Sequence, residues 1–208
     1  MDQLIAGYRR FRAVAWPQRR ELFEGLARHG KRPRAMVLAC SDSRVDPAMI
    51  FDARPGEMFI IRNVANLVPP WAPDGACHGT SAALEFGVRA LEVRDLIVLG
   101  HGLCGGVQAL LDGVPPPLGE FVAPWIGLAA RARSGVLRCD PAERQREGEY
   151  ATVHVSLENL MTFPWIAEPV AAGRLTLHGA HFDIRTGVLA LLGTDGHFAP
   201  VQTAPPGP

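Results

Sequence analysis

Neither sign of charge prevails in this chain. Lys+Arg and Asp+Glu number 21 each, so no basic excess points to nucleic acid or an anionic membrane surface, and no acidic tail is present. No apolar run approaches the ~18 residues that a membrane-spanning helix requires. The N-terminal residues Met1-Asp2-Gln3-Leu4, soon followed by Arg9, Arg10 and Arg12, lack the basic-then-apolar order of a secretory signal. A reducing cytoplasm is therefore the expected location. Cysteine is scarce, 4 in 208 residues. In a reducing compartment such widely spaced thiols read as metal ligands, a nucleophile or core filler rather than as disulfides. Internal repeats and a linker long enough to split the chain are both missing.

What is there is apolar residue, 48% of the chain, enough for a large core and incompatible with a disordered or collagen-like polypeptide. The length suits a single domain over residues 1–198. Residues 3–29 carry Leu4, Tyr8, Phe11, Ala15, Leu22, Phe23 and Leu26 at helical spacing, with Pro17 starting a second helical segment. This helical arm, residues 1–30, can pack on the domain or on another subunit. Three short apolar runs, at 36–39, 58–61 and 96–99, suit strands buried on both faces, as in a parallel sheet. Helices are expected over 79–93, from Gly105 onward, and over 120–134 and 141–162, where Pro164 closes the last. Residues 175–177 and 188–191 predict a C-terminal hairpin, with Gly187 in its turn. Residues 199–208 carry four prolines and predict a flexible tail. The fold class expected is α/β, a mostly parallel central sheet flanked by helices.

Two segments place reactive side chains just after a predicted strand: Cys40-Ser-Asp-Ser-Arg44 and His101-Gly-Leu-Cys104, the latter followed by Gly105 and Gly106. Ligands bind at the carboxyl ends of strands in an open parallel sheet, where strand order reverses. If the strands at 36–39 and 96–99 are neighbours, Cys40, His101 and Cys104 converge there as a Cys₂His set, which can hold Zn²⁺ with a fourth position open. Each half alone is a weak signal; together they favour a metal. Buried small hydrophobes for the two cysteines, a hydrogen-bonded core histidine for His101, and a Cys40–Cys104 disulfide remain the alternatives. Gly100-His-Gly-Leu-Cys-Gly105 also matches the dinucleotide fingerprint, but the acidic residue that fingerprint requires would be Glu120, which has no strand before it. Cys77-His78 could offer a metal two donors, but adjacent side chains rarely point the same way and their Pro/Gly-rich surroundings read as a mobile loop; Cys139, at the start of a helical stretch, reads as structural or exposed, and His29, His154, His178 and His197 have no partner at ligand spacing. His181, near the hairpin, is a candidate slow proton shuttle.

Across Ala39-Cys-Ser-Asp-Ser-Arg-Val-Asp-Pro47, Pro55-Gly-Glu-Met-Phe-Ile-Ile-Arg-Asn63, Gly79-Thr-Ser-Ala-Ala-Leu-Glu-Phe86, Gly100-His-Gly-Leu-Cys-Gly-Gly106 and Gly179-Ala-His-Phe-Asp-Ile-Arg-Thr-Gly187, the sequence resembles the β-class carbonic anhydrases. The resemblance spans about residues 3–195. It implies Zn²⁺ on Cys40, His101 and Cys104, an Asp42–Arg44 pair beside them, and reversible hydration of carbon dioxide to bicarbonate and a proton. It also implies a homo-oligomer, a dimer or higher, whose N-terminal helices embrace the neighbouring subunit. Val37 stands where an inhibitory bicarbonate pocket needs Trp, and Asn66-Leu-Val-Pro-Pro70 resembles the plant-like branch, whose metal stays open. Lys31 and Phe86 replace a Gln and a Tyr of that branch, and the resemblance implies that both reach the site from the partner subunit; with Phe59, Val64 and Gly105 they are the expected substrate pocket. A hydrolase of CS₂ or COS on the same fold, or a non-catalytic zinc or anion binder, are the rival readings.

Overall fold

In the computed structural model, which describes residues 1–202, the three short apolar runs form one side of a single sheet. They are strands β1 (Ala35–Cys40), β2 (Met58–Asn63) and β3 (Asp95–His101), joined by β4 (Thr176–Phe182), β5 (Leu189–Leu192) and β6 (Phe198–Pro200). The order is β2-β1-β3-β4-β5-β6. The first four strands are parallel, and β5 and β6 add antiparallel pairs. From β1 the chain first steps outward to β2, then returns across β1 to β3. Strand order therefore reverses between β1 and β3, where crevices for ligands open in such sheets.

The helices are α1 (Asp2–Arg10), α2 (Trp16–His29), α3 (Pro47–Ile50), α4 (Gly79–Glu85), α5 (Gly105–Asp112), α6 (Val122–Gly127), α7 (Ala130–Val136), α8 (Arg144–Leu160) and α9 (Pro164–Ala171). Met36 to Ala39 of β1 are fully buried, as a strand covered on both faces demands. On one face Met36, Leu38, Leu96 and Val98 pack with Leu84 of α4, Val153 and Leu160 of α8, and Ile166 of α9. On the other lies a smaller cluster of Val37, Ala39, Leu99 and Ala180.

Four expectations are corrected. The helix predicted over 120–134 is two short ones, α6 and α7, broken where Ala129 leaves helical geometry (φ −98°, ψ 5°) just after Gly127. Pro164 closes α8 and also opens α9, an element the periodicity did not reveal; proline at a first helical position needs no N–H. The first arm of the hairpin, β4, is also a full member of the parallel sheet, paired along its length with β3. Its Gly179 is required by close packing, because a Cβ there would sit 2.9 Å from Leu192 and 3.1 Å from Val153. Finally, Ala199 and Pro200, placed in the flexible tail by composition, pair with Leu191 and Ala190 as β6. Residues 203–208 lie outside the described ones.

Pro17 does not break the N-terminal segment. A wide turn, Phe11–Ala15, takes up the lost hydrogen bond, and the Trp16 N–H reaches back to the Phe11 carbonyl. No residue of α1, the wide turn or α2 is buried. Leu26, which lies against Gly56, brings the arm to the domain, while Leu4 and Tyr8 remain exposed.

Candidate metal centre

Cys40 is the last residue of β1 and His101 the last of β3, so parallel pairing of these strands brings both to one end of the sheet. The chain then turns sharply, with Leu103 in the left-handed region (φ +58°), and delivers Cys104 to the start of α5. One ligand-type atom from each of Cys40, His101 and Cys104 lies within 4.8 Å of the other two. The two sulfurs are 3.9 Å apart. Exposure of the three residues is only 6%, 1% and 1%. The structure thus brings together the set that the two sequence segments predicted.

The details favour a cation over the alternatives. His101 Nδ1 lies 2.9 Å from the Gly102 carbonyl, which fixes the proton there and leaves Nε2 with a free lone pair. That Nε2 is buried and has no hydrogen-bond partner among the described residues. A buried polar atom left unpaired is costly, and a soft divalent ion on two sulfurs and one imidazole nitrogen removes the cost. The cysteines have complementary acidities. The hydrogen bond from Cys104, helped by the amides of Asp42 and Ala65, lowers the Cys40 thiol to about 4 against the cost of burial. The same bond, burial and the Cys40 charge push the Cys104 thiol far up.

Asp42 lies beside this cluster on the loop after β1. Arg44 grips it in a fork: Nε donates to Oδ1 at 2.9 Å and Nη2 to Oδ2 at 2.6 Å. The Arg44 backbone N–H also donates to Oδ1, at 2.9 Å, so Oδ2 keeps more free acceptor capacity. These bonds from Arg44 hold the Asp42 carboxyl well below the usual carboxylate range, against a small cost of burial. Arg44 Nη2 further donates to the Leu103 carbonyl at 3.1 Å, tying the Asp42 loop to the His101–Cys104 turn.

The other predicted pocket residues separate into two places. Val64 lines a cavity of about 840 Å³ together with Ser41, Asn63, Thr80, Phe121 and Trp125. Gly105 opens α5 beside Cys104. Lys31, Phe59 and Phe86 form a different cluster, with Lys31 Nζ 5.3 Å from the centre of the Phe59 ring and that ring 5.8 Å from Phe86. None of these three lines the cavity beside Ser41. His181 is not in that cavity either; it is buried against Glu149 at 2.9 Å. His78 pairs with Asp74 at 2.7 Å, and the Cys139 thiol donates to the Gly135 carbonyl, its sulfur 3.8 Å away.

Sequence reasoning missed the groups that hold the loops. Arg62 donates through Nε to the Cys40 carbonyl at 2.9 Å and through Nη2 to the Asp42 and Val45 carbonyls, the last at 2.9 Å. Ala65, with φ +61°, bends the turn after β2 so that its amide faces Cys40. Backbone donors leave no mark in side-chain patterns. Arg62 stood in a quoted motif, yet its three carbonyl partners lie up to 22 residues away.

An open, mostly parallel sheet with a buried Cys₂His donor set at its reversal point, and an anchored carboxylate beside it, defines an α/β protein of the metalloenzyme class. Comparison with known proteins makes this narrower. The carbonic anhydrase family profile matches residues 35–189. The Arabidopsis thaliana protein named beta carbonic anhydrase 3 is 34% identical over 92% of this chain and 76% of its own. The solved structure of the β-carbonic anhydrase CcaA superposes with a TM-score of 0.89 at 34% identity, covering 98% of this chain and 92% of that one. One of two tetrameric β-carbonic anhydrases from Sordaria macrospora gives 0.78 at 29%, over 92% and 96%. The chain belongs to the β-class carbonic anhydrase family.

Proposed function

We propose that this chain catalyses the reversible hydration of carbon dioxide to bicarbonate and a proton, with Zn²⁺ held by Cys40 Sγ, Cys104 Sγ and His101 Nε2. The observation that carries the reading is the buried three-atom cluster with its unpartnered imidazole nitrogen, set beside a carboxylate fixed by Arg44. When bound, the cation supplies Lewis acidity that makes hydroxide available from water near neutral pH. The chain's own groups supply orientation. Asp42, aimed by the Arg44 fork, accepts a hydrogen bond from the O–H of the attacking oxygen at Oδ2, the less occupied of its two atoms. That turns a lone pair toward the carbon of CO₂. Val64, Trp125 and Phe121 give the neighbouring cavity an apolar wall suited to a small nonpolar gas.

Residues 1–198 act as one domain in this reading, with the arm 1–30 packed on a second copy of the chain in a dimer or higher assembly. Support comes from the arm's lack of any buried residue and from the tetrameric state of the Sordaria macrospora relatives. A cytoplasmic location is part of this reading, supported by an N-terminus without a basic-then-apolar leader pattern and by four widely spaced cysteines. Lys31 and Phe86, distant from the cavity beside Ser41 in one chain, serve the site of the partner subunit. No helix among the described residues is long and apolar enough to cross a membrane. Stopped-flow CO₂ hydration combined with metal analysis tests the proposal. About one zinc per chain, and activity abolished by chelation and restored by Zn²⁺, is the result expected; full activity in metal-free protein refutes it.

A further inference from the structure

Behind the metal cluster, α8 carries a buried polar group that the reaction itself does not use. Glu149 is 2% exposed, in a helix whose inward face is otherwise apolar, neutral-polar or glycine. Its Oε1 accepts the backbone N–H of Cys104 at 3.2 Å and the side-chain amide of Gln145 at 2.8 Å. Its Oε2 meets His181 Nε2, on β4, at 2.9 Å. Gln145 Nε2 also donates to the Cys104 carbonyl, at 3.1 Å. One turn of α8 thus holds both backbone polar atoms of Cys104, while His181 ties the same carboxyl to the strand beside His101.

A buried carboxyl is expensive unless every oxygen is partnered, and here each is. A simple packing role would have been met by an aliphatic side chain, as at Val153 one turn further along. We infer that Glu149, supported by Gln145 and His181, is a positioning group that aims the Cys104 sulfur at the cation and thereby sets how tightly the metal is held. This inference rests on the proposed Zn²⁺ site. The requirement for such a clamp is local. Cys104 follows a left-handed Leu103 and begins a helix, so neither its N–H nor its sulfur is fixed by strand pairing, unlike Cys40 and His101. Groups behind metal ligands change affinity by about 10- to 100-fold when removed.

Two substitutions test it. Glu149→Gln keeps the volume and an acceptor for the Cys104 amide but replaces the oxygen that faces His181 with a donor amide. Gln145→Ala, at a half-buried position, removes only the grip on the Cys104 carbonyl and on Glu149. Zinc release from each loaded protein is timed with a chromogenic chelator, and the sulfur-to-metal charge-transfer band is recorded after replacement by Co²⁺. Release about 10- to 100-fold faster for Glu149→Gln, a smaller acceleration for Gln145→Ala, and a displaced band in both are expected. A purely structural role would lower the unfolding temperature while leaving the band in place, and that outcome overturns the inference. If Glu149→Gln does not fold, an unchanged band and release rate in Gln145→Ala overturn it equally. Wild-type protein that takes up neither zinc nor cobalt would refute the metal site itself, a result distinct from failure of the clamp.

Discussion

Asp42 and Arg44 form the pair in which charge and geometry can be told apart. An ordinary aspartate, with pKa about 3.9, is already ionised at neutral pH. The further depression imposed by Arg44 therefore changes little of its charge there, and the fork acts chiefly by aiming the carboxyl. Asp42→Asn is expected to retain its metal and lose about 10²-fold in turnover, measured by stopped-flow hydration beside metal content. Arg44→Gln should cost less, because the carboxylate survives. The sulfurs give a pH prediction. Because Cys104 is pushed up while Cys40 is pushed down, the unloaded site keeps a thiol proton at neutral pH that the ion must displace. Loading is expected to release at least about one proton per ion, so affinity should rise about tenfold per pH unit near neutrality. Calorimetric titration in buffers of differing ionisation enthalpy reads this directly, and release of no proton would contradict it.

Among the elements, α5 is the one whose placement matters most to the site, and it is seated by Gly106. A Cβ at Gly106 would stand 2.8 Å from that of Ala65 and 3.1 Å from a Val64 methyl, so the helix rests directly on the turn that faces Cys40. Gly106→Val is expected to destabilise the fold by about 1–3 kcal/mol, seen as a lower denaturant midpoint at unchanged slope. The elements also show where the sequence was legible. β1 and β3 were readable because both faces are covered, giving unbroken apolar runs such as Met36 to Ala39. So were their ends, because Cys40 and His101 interrupt that texture. Much of β4 was not readable: His178, Gly179 and His181 break any apolar pattern, and Gly179 is there to admit Leu192 and Val153. β6 was hidden by prolines, which an edge position tolerates. Glu149 was hidden for another reason. Its partner Cys104 is 45 residues away, and nothing in helical periodicity distinguishes a buried carboxyl from a solvated one.

At the scale of the molecule, two features await a partner or an ion. The arm of α1 and α2 exposes Leu4, Ile5, Tyr8 and Val14, and β2 is an edge strand with no neighbour on its outer side among the described residues. Removing residues 1–30 is expected to convert a particle of two or more 22.5 kDa chains into single chains, as judged by light scattering on a sizing column. Retention of the full mass would place the interface elsewhere. The ion should act on the fold as a whole. At a free concentration one hundred times its dissociation constant it contributes about 2.7 kcal/mol, which raises the unfolding temperature by roughly 5–10 °C for a chain of this size. Calorimetry with and without chelator measures the difference.

Cys40 and Cys104 are 64 residues apart, and β2 is made between them before β3 can slot in beside β1. Read from the N-terminus, the first thiol is therefore made well before its two companions, and it meets them only when β3 has paired with β1. Capture of the ion must wait until the second strand of the pair has been threaded home, which makes metal uptake a late report that the chain has assembled correctly.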